Sequence, residues 1–354
     1  RWGGPAAANL KWETTNQFNL GLDAAFFNNR VNLVVDLYYK KTTDLLQYRY
    51  IDMSSGFNQI ACNYGDVTNK GLEITAHVIP VKTRDWMWTL DANISFNRNK
   101  IGGLNADQFS DVAWGIESMF LRRNGHPIGT LYGYVEDGFY DNEAEARAAP
   151  YYRDATPSKV KSMVGQVKYK NLDDDPVIDD RDKTIIGDTN PDYQYGITST
   201  LNWKKWTFSF FLQGTQGNDI LNVNLKQFDV AVGSGNMPYF VFNNRWTPEN
   251  RAAAKWPRAD GTFTRAMKAS DRYIVDGSYL RCKNISLSYN WAHPVKFVES
   301  INIVASITNL FTISGYEWYD PDVNAFGSDP TRRGVDMSSY PSARTFNLGI
   351  QLAF

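Results

Sequence analysis

The run NLDDDPVIDDRD, residues 171–182, is the stretch whose acidic residues carry the spacing of a metal ligand set. Asn171, Asp173, Asp175, the Val177 carbonyl, Asp179 and Asp182 fall at positions 1, 3, 5, 7, 9 and 12 of an EF-hand-like calcium loop, with Ile178 at the apolar eighth place. Calcium prefers hard oxygen donors in this alternating order, because every second side chain of a tight loop converges on one point. Two residues depart from the pattern. Pro176 stands where glycine usually makes the sharp turn, with φ fixed near −65°, and Asp182 is a methylene shorter than the usual bidentate glutamate. A solvated acidic loop is therefore the competing reading, and no other cofactor is implied.

Catalytic constellations do not assemble. The three histidines, His77, His126 and His293, are far apart in sequence, and neither a nucleophile elbow nor a phosphate loop nor zinc spacing occurs. Carboxylate neighbours such as Glu136-Asp137 and the nearby pair Asp320 and Asp322 could serve glycoside hydrolysis only across a cleft. Solvation or turn formation explains them more simply, so the chain reads as a binding protein, not an enzyme. With 37 basic and 38 acidic residues, net charge −1, there is no electrostatic case for nucleic acid. Cys62 and Cys282 are too few for a disulfide scaffold and lack metal spacing; two separate thiols are expected.

The elements that would position these residues announce themselves by period. From Trp12 to Phe26 the even positions are mostly apolar (Phe18, Leu20, Leu22, Ala24) and the odd ones polar (Glu13, Gln17, Asn19, Asp23). After Asn28-Asn29 the parity switches: Val31, Leu33, Val35, Leu37 and Tyr39 share one face, Asn32, Asp36 and Lys40 the other. The same alternation recurs at 72–78, 86–96, 193–203, 206–212, 285–291, 301–311 and 346–354, which predicts nine strands with one apolar and one wet face. Links after the first, third, fifth and seventh strands are short; those near 45–66, 101–190, 217–272 and 314–340 are long. Strands of ten or so residues, short turns at one end and long loops at the other are the marks of an outer-membrane β-barrel, with loops outside and turns in the periplasm. Trp12 and Phe26, or Trp86 and Phe96, close the apolar stripes as interfacial aromatics would. An extended soluble antiparallel sheet, packed on a second sheet, is the alternative. Glu13, Asp23, Asp36, Lys40, Glu73, His77 and Asp91 fall on the wet, lumenal face, His126 in a loop and His293 in a periplasmic turn.

Tyr, Phe and Trp make up 14% of the chain, and many lie in the long loops. Trp114, Tyr132, Tyr134, Trp246, Trp318 and Tyr319 are the candidate ligand contacts, since rings can stack on sugar faces or pack on peptide side chains. The competing reading is that such rings form small cores holding the loops together. Nine strands are an odd number, and an open edge is not tolerated in lipid, so further strands are expected elsewhere in the protein.

The segments NLKWETTNQFNLGLDAAFFNNRVNLVVDLYYKKTTDLL, YGDVTNKGLEIT, FNRNKI, GHPIGTLYGYVEDGFY, DRDKTIIGDTNPDYQYGI, FFLQGTQGNDILN, YLRCKNISLSYN and TNLFTISGYEWYDPDV, in this order, resemble the SusC/RagA type of TonB-dependent outer-membrane transporters. The resemblance runs over nearly all of residues 1–354. It implies an all-β, transmembrane antiparallel barrel of 22 strands with a plugged lumen, of which these are the last nine, the N-terminal plug and upstream strands lying outside this sequence. It also implies a SusD-like surface lipoprotein as lid, energy from TonB through the missing region, and import of oligosaccharides or oligopeptides. Terminal Phe354 resembles the signal read by barrel-assembly machinery, and an interfacial anchor would use the same residue. Many members carry D-x-N-x-D-G-x-I where this chain has its acidic run, which supports the calcium alignment but not the proline. A lidless siderophore or vitamin receptor, a passive porin and a soluble glycan-binding protein are the rival functions.

Overall fold

The computed structural model describes residues 9–57, 59–112, 118–149, 151–152, 163–229, 236–259, 268–295 and 297–354. These build one nine-stranded sheet in plain sequential order, every neighbour antiparallel: β1 (Thr14–Phe26), β2 (Val31–Thr43), β3 (Asp66–Lys82), β4 (Trp86–Gly102), β5 (Tyr193–Trp203), β6 (Trp206–Gln216), β7 (Tyr279–Val295), β8 (Val298–Ser314) and β9 (Thr345–Ala353). Each expected strand is present, and several run longer than the sequence pattern suggested. One consequence is a correction: His293 lies within β7, not in a turn, at a bulged stretch where its φ is +49°.

Register carries the apolar stripe across the sheet. Leu22 opposes Val35, Val35 opposes Ile74 and Ile74 opposes Ile94; further on, Phe210 opposes Ile285, Ile285 opposes Ile307 and Ile307 opposes Phe346. A slip of one residue in any pair would send that strand's apolar side chains to the wet face. On strands paired along both edges, Leu37, Leu287 and Ile303 are 47%, 44% and 38% exposed, so the stripe faces away from protein. In a water-soluble fold this would be a large unburied apolar surface; a lipid-facing wall requires it.

Two aromatic rows bound the stripe. At the turn end, Trp86 stacks on Trp203 with ring centroids 5.4 Å apart, and Trp206 lies 4.7 Å from Tyr289. Phe96 and Tyr193, 5.8 Å apart, mark the loop end. From Trp86 to Phe96 is ten residues of β4, about 34 Å of strand and about 24 Å across a bilayer at a tilt near 45°. That matches the apolar band of an outer-membrane barrel, about 25 Å tall.

The opposite face is polar. Asp36 opposes Glu73, and His77 reaches Asp91 at 2.6 Å. Tyr38 lies across Gly71, where a Cβ would sit 2.2 Å from the ring, and donates its hydroxyl hydrogen to Asn97 Oδ1 at 3.0 Å. Glycine in mid-strand, usually costly, here makes room for a wet-face aromatic. Pro80, which cannot donate to a ladder, sits in the bulge between Val78 and Val81 of β3. The turns are tight: Phe27, Asn28 and Asn29 all have positive φ, and the Lys204-Lys205 turn has φ +52° at Lys204. No described helix is long and apolar enough to cross a membrane. Cys62 lies in a loop hairpin and Cys282 in β7, and both are free thiols.

Buried apolar packing is concentrated in the long loops. Met119, Phe120 and Leu131 from the second loop, Leu221, Val223, Ala269 and Tyr273 from the third, and Val335 from the fourth form one core, each at most 1% exposed. Asp219–Asn222 is its spine, pairing antiparallel with Ile274–Asp276 and parallel with Val335–Asp336. Loops separated by more than a hundred residues are thus bound into one cap.

Candidate functional site

The fourth loop is tied to the sheet by a buried ion pair. Arg281 of β7, 1% exposed, meets Asp320, whose oxygens also accept from the backbone N–H groups of Asp322 and Ser342. Burial pushes the Asp320 carboxyl up, but those two N–H groups and the guanidinium outweigh it and hold it below the usual carboxylate range. Tyr316 donates to Asp336 Oδ2 at 2.6 Å in the cap interior, and burial together with this bond drives its hydroxyl far above the usual phenol range. Between these anchors the chain presents Glu317, Trp318 and Tyr319.

Those residues form one wall of a cleft of about 1020 Å³ that collects Glu136 from the second loop, Phe240, Lys255, Trp256 and Arg272 from the third, and Gly315 to Tyr319 from the fourth. Trp318 and Tyr319 stand nearly perpendicular, at 72°, with centroids 5.3 Å apart. Phe228 links the two sides, 5.7 Å from Trp318, 6.1 Å from Trp256 and 6.2 Å from Phe240. The Arg272 guanidinium lies 5.1 Å from the Trp256 ring centroid and donates to both Glu136 oxygens, at 2.9 and 3.0 Å. It is the stacking of the planar guanidinium on the indole, with its other nitrogen donating to the Lys255 carbonyl, that favours arginine over lysine here. Chemically the cleft can bind; the residues that line it include no nucleophile paired with a base.

Only part of the expected aromatic set meets here. Trp318 and Tyr319 line the cleft. Two others correct the expectation that their rings face a ligand. Tyr134 is 1% exposed, packs 5.3 Å from Tyr169 and lies beneath Lys183 and Lys268, and Trp246 is 4% exposed against Gly165, where a Cβ would come within 2.5 Å of the indole. Both rings hold the loops together. Tyr132 stands apart from the cleft, 5.8 Å from Phe109 and 5.6 Å from the Arg123 guanidinium. Trp114 lies outside the described residues. Sequence reasoning missed Phe228, Trp256 and the Glu136–Arg272 pair, whose partners come from different loops and share no local spacing.

The acidic loop is organised around its own cation. Arg181 reaches Asp173 at 3.2 Å and Asp179 at 3.1 Å, and also contacts Asp175. Its side-chain hydrogen bond to Asp179, followed by the surrounding carboxylates, raises its pKa further above the ordinary arginine value. Asp182, at the twelfth place, is fully buried with both oxygens accepting backbone N–H bonds from Leu172 and Asp179, each at 2.8 Å. Asp175 Oδ1 accepts from the Val177 N–H at 2.8 Å. The left-handed residue is Asp174, φ +57°, and not the sixth position. As arranged, these donors do not fit a calcium cage, and among the described residues no group of three or more His, Cys, Asp or Glu side chains is disposed to hold a metal. Phe354 is 80% exposed beyond the end of β9, in line with the apolar stripe.

Comparison with known proteins adds the following. Residues 2–310 match the family model described as TonB dependent receptor-like, beta-barrel. A TonB-dependent receptor P3 of Formosa agariphila is 34% identical over 98% of this chain and 34% of its own length. TonB-dependent receptor SusC of Bacteroides thetaiotaomicron is 30% identical over 98% of this chain and 32% of its own length. The solved RagAB peptide transporter superposes with a TM-score of 0.75 at 22% identity, covering 97% of this chain and 36% of the transporter chain. The chain thus spans about a third of the length of the curated relatives it matches.

Proposed function

We propose, from the premise that this chain belongs to the TonB-dependent receptor β-barrel family of the outer membrane, that it is the C-terminal barrel portion of an active importer of large nutrients. The cargo would be oligosaccharides or oligopeptides, captured together with a SusD-like surface lipoprotein. The reading includes a 22-stranded barrel to which these nine strands contribute the last part, a plug in its lumen, and TonB acting on that plug from the periplasm. Phe354 would serve the barrel-assembly machinery. The mechanism is binding followed by a conformational opening, with no bond made or broken in the cargo.

One observation carries the reading: a single chain joins a sheet with an outward apolar stripe to a cap of long, well-packed loops that enclose an aromatic cleft. A passive pore needs the sheet and gains nothing from so elaborate a cap; capture of a large solute does. Long loops inside compact folds are usually functional when they are ordered. The fold shared with a transporter described as carrying peptides is compatible with oligopeptide cargo and leaves oligosaccharides equally open.

The test is gentle detergent extraction of the full-length protein from its native membrane, with mass spectrometry of what accompanies it. A surface lipoprotein recovered in near-equal amount supports capture with a lid. Recovery of the receptor alone, under conditions that preserve other membrane complexes, would favour a lidless siderophore or vitamin receptor or a passive porin.

A further inference from the structure

We propose that the outward face of β2–β4, just beyond the aromatic row at the loop end, binds the phosphate-bearing headgroup of an outer-leaflet lipid. The placement, the charge and the depth of four cations converge on this ligand.

Register is unbroken along this part of the sheet, so parity fixes which side chains face lipid. On β4, Arg98 and Lys100 continue the series of Leu90, Ile94 and Phe96; on β3, Thr68 and Lys70 precede Leu72 and Ile74; on β2, Lys41 follows Leu37 and Tyr39. Lys70 stands directly opposite Arg98, and Lys41 and Lys100 stand on either side of Thr68. With strands about 4.8 Å apart and about 6.8 Å between alternate residues, the four cations share a patch roughly 10 Å by 7 Å. Lys70, Arg98 and Lys100 also line one notch of about 400 Å³ beside Pro191, as residues on the same side of the sheet would.

Like charges directly opposite each other on a sheet repel, and an anion bound between them turns that cost into attraction. The protein supplies only part of the anion. Asp66 lies 3.5 Å from Lys41, and Asp192 lies 2.7 Å from Arg98. Asp188, which also lines the notch, accepts from the backbone and side-chain N–H groups of Asn190. Lys70 and Lys100 pair with no carboxylate among the described residues. Lys70 lies instead 5.4 Å from the Tyr39 ring centroid, with its ammonium open to a further partner.

Depth identifies the anion. Phe96 and Tyr193 close the apolar stripe at the loop end, and Arg98 is the next outward residue on β4, so the cluster sits where acyl chains give way to headgroups on the outer side. Long basic side chains at that depth reach for the interface. On β6–β8 the outward residues at this end are uncharged: Gly214, Leu280 and Ile313 follow one another across the sheet, while Arg281 beside them turns to the other face and meets Asp320. General attraction to an anionic surface would need cations all round the rim; here they gather on three neighbouring strands. A lipid bearing phosphate matches both halves of the surface, its anion at the cluster and its acyl chains along Leu72, Ile74 and Ile94.

The experiment is native mass spectrometry of the full-length protein in a neutral detergent, titrated with phosphorylated lipid A or with the same lipid stripped of phosphate. Wild type is compared with Lys70→Gln/Lys100→Gln and with Lys204→Gln/Lys205→Gln, an equal change of charge at a periplasmic turn. All four lysines are exposed, so the sheet should fold in each variant. Wild type and the turn variant should bind the phosphorylated lipid equally. Lys70→Gln/Lys100→Gln should weaken it about thirtyfold, about 2 kcal/mol at 1.4 kcal/mol per tenfold, the contribution of two cations facing an anionic lipid. Stripped lipid should bind all three proteins alike and more weakly. Equal weakening by the turn variant would reduce the effect to general charge and overturn the site, as would equal affinity for the two lipids. Displacement by millimolar inorganic phosphate would assign the cluster to a free anion, and a dimer lost in Lys70→Gln/Lys100→Gln would assign it to a second copy of the chain; either result contradicts the proposal.

Discussion

The sheet and the loop cap of this protein obey opposite rules. In the sheet the large apolar side chains point outward and the polar ones inward: Leu37 and Leu287, on interior strands, are 47% and 44% exposed, while Asp36, Glu73 and the His77–Asp91 pair share the other face. In the cap the order is that of a water-soluble domain, with Met119, Leu131, Leu221 and Val335 all fully buried. A single chain can do both because the two regions have different solvents. The sheet is held by its ladder, which lipid cannot compete for, and the cap by exclusion of water from apolar surface. The cap can therefore be irregular and specific, while the sheet must be regular.

The largest effect that would sharpen this contrast is expected at the junction. Asp320→Ala leaves buried Arg281, among the described residues, with only its longer carboxylate contact to the half-exposed Asp322, at 3.6 Å. That change should approach the about 3–5 kcal/mol of a broken buried pair, and the loss should appear as faster amide exchange in residues 315–344 with the exchange of β1–β4 unchanged. If the whole sheet loosened equally, cap and wall would not be separable. The same pair sets a pH dependence. Asp320 is held below its ordinary value, so its contribution is fully present above the unfolded carboxylate value, near pH 4, and is lost as pH falls through the lower folded value. Exchange in that loop should rise only under acid, and Asp320→Asn should abolish the acid step.

Next in size is the distinction between the two faces of the sheet. Lysine in place of Leu90, near the middle of the apolar stripe of β4, should cost about 2–4 kcal/mol in lipid, read from denaturant unfolding in vesicles. Lysine in place of Asn93, on the wet face, should cost little. Equal costs would mean that the outward face does not meet lipid.

The smallest effect concerns the acidic loop. With Arg181 among Asp173, Asp175 and Asp179, calcium titration of the wild type should show no site at millimolar calcium. Arg181→Ala frees Asp173, Asp175 and Asp179 but leaves Asp182 bound to backbone N–H groups, so it should give only weak binding in the millimolar range, which Asp175→Ala added to it should remove. Binding by the wild type would show that the loop rearranges around calcium as its spacing suggests.

How much of this was legible in the sequence follows from the same contrast. Period-two alternation, turn lengths and the aromatic ends of the stripes gave all nine strands and their faces, because in a meander each strand's partner is the next one along and its face is set by parity alone. Only extents were missed: β7 carries His293 within it because the strand continues past the end of its apolar alternation. In the cap, parity has no meaning. Leu221 shares its core with residues from loops a hundred positions away in both directions, and nothing local distinguishes Tyr134, which is buried, from Tyr319, which is open. Trp318 and Tyr319 stand out in the sequence because adjacent aromatics in a long loop are conspicuous; Trp256 and Phe228 do not, since only the folded cap brings them near. The acidic residues keep calcium-loop spacing, but Arg181, inside the same motif, takes up three of their carboxylates.

The most direct test of the central claim, that these strands form a wall between lipid and a wet interior, is a spin-label scan along β9 in reconstituted full-length protein, with Cys62 and Cys282 replaced by serine. Labels at 346, 348, 350 and 352 should be relaxed by oxygen, which concentrates in lipid, and labels at 347, 349 and 351 by a water-soluble nickel complex. That two-residue alternation is the predicted result; uniform access to the nickel complex along the strand would contradict the account.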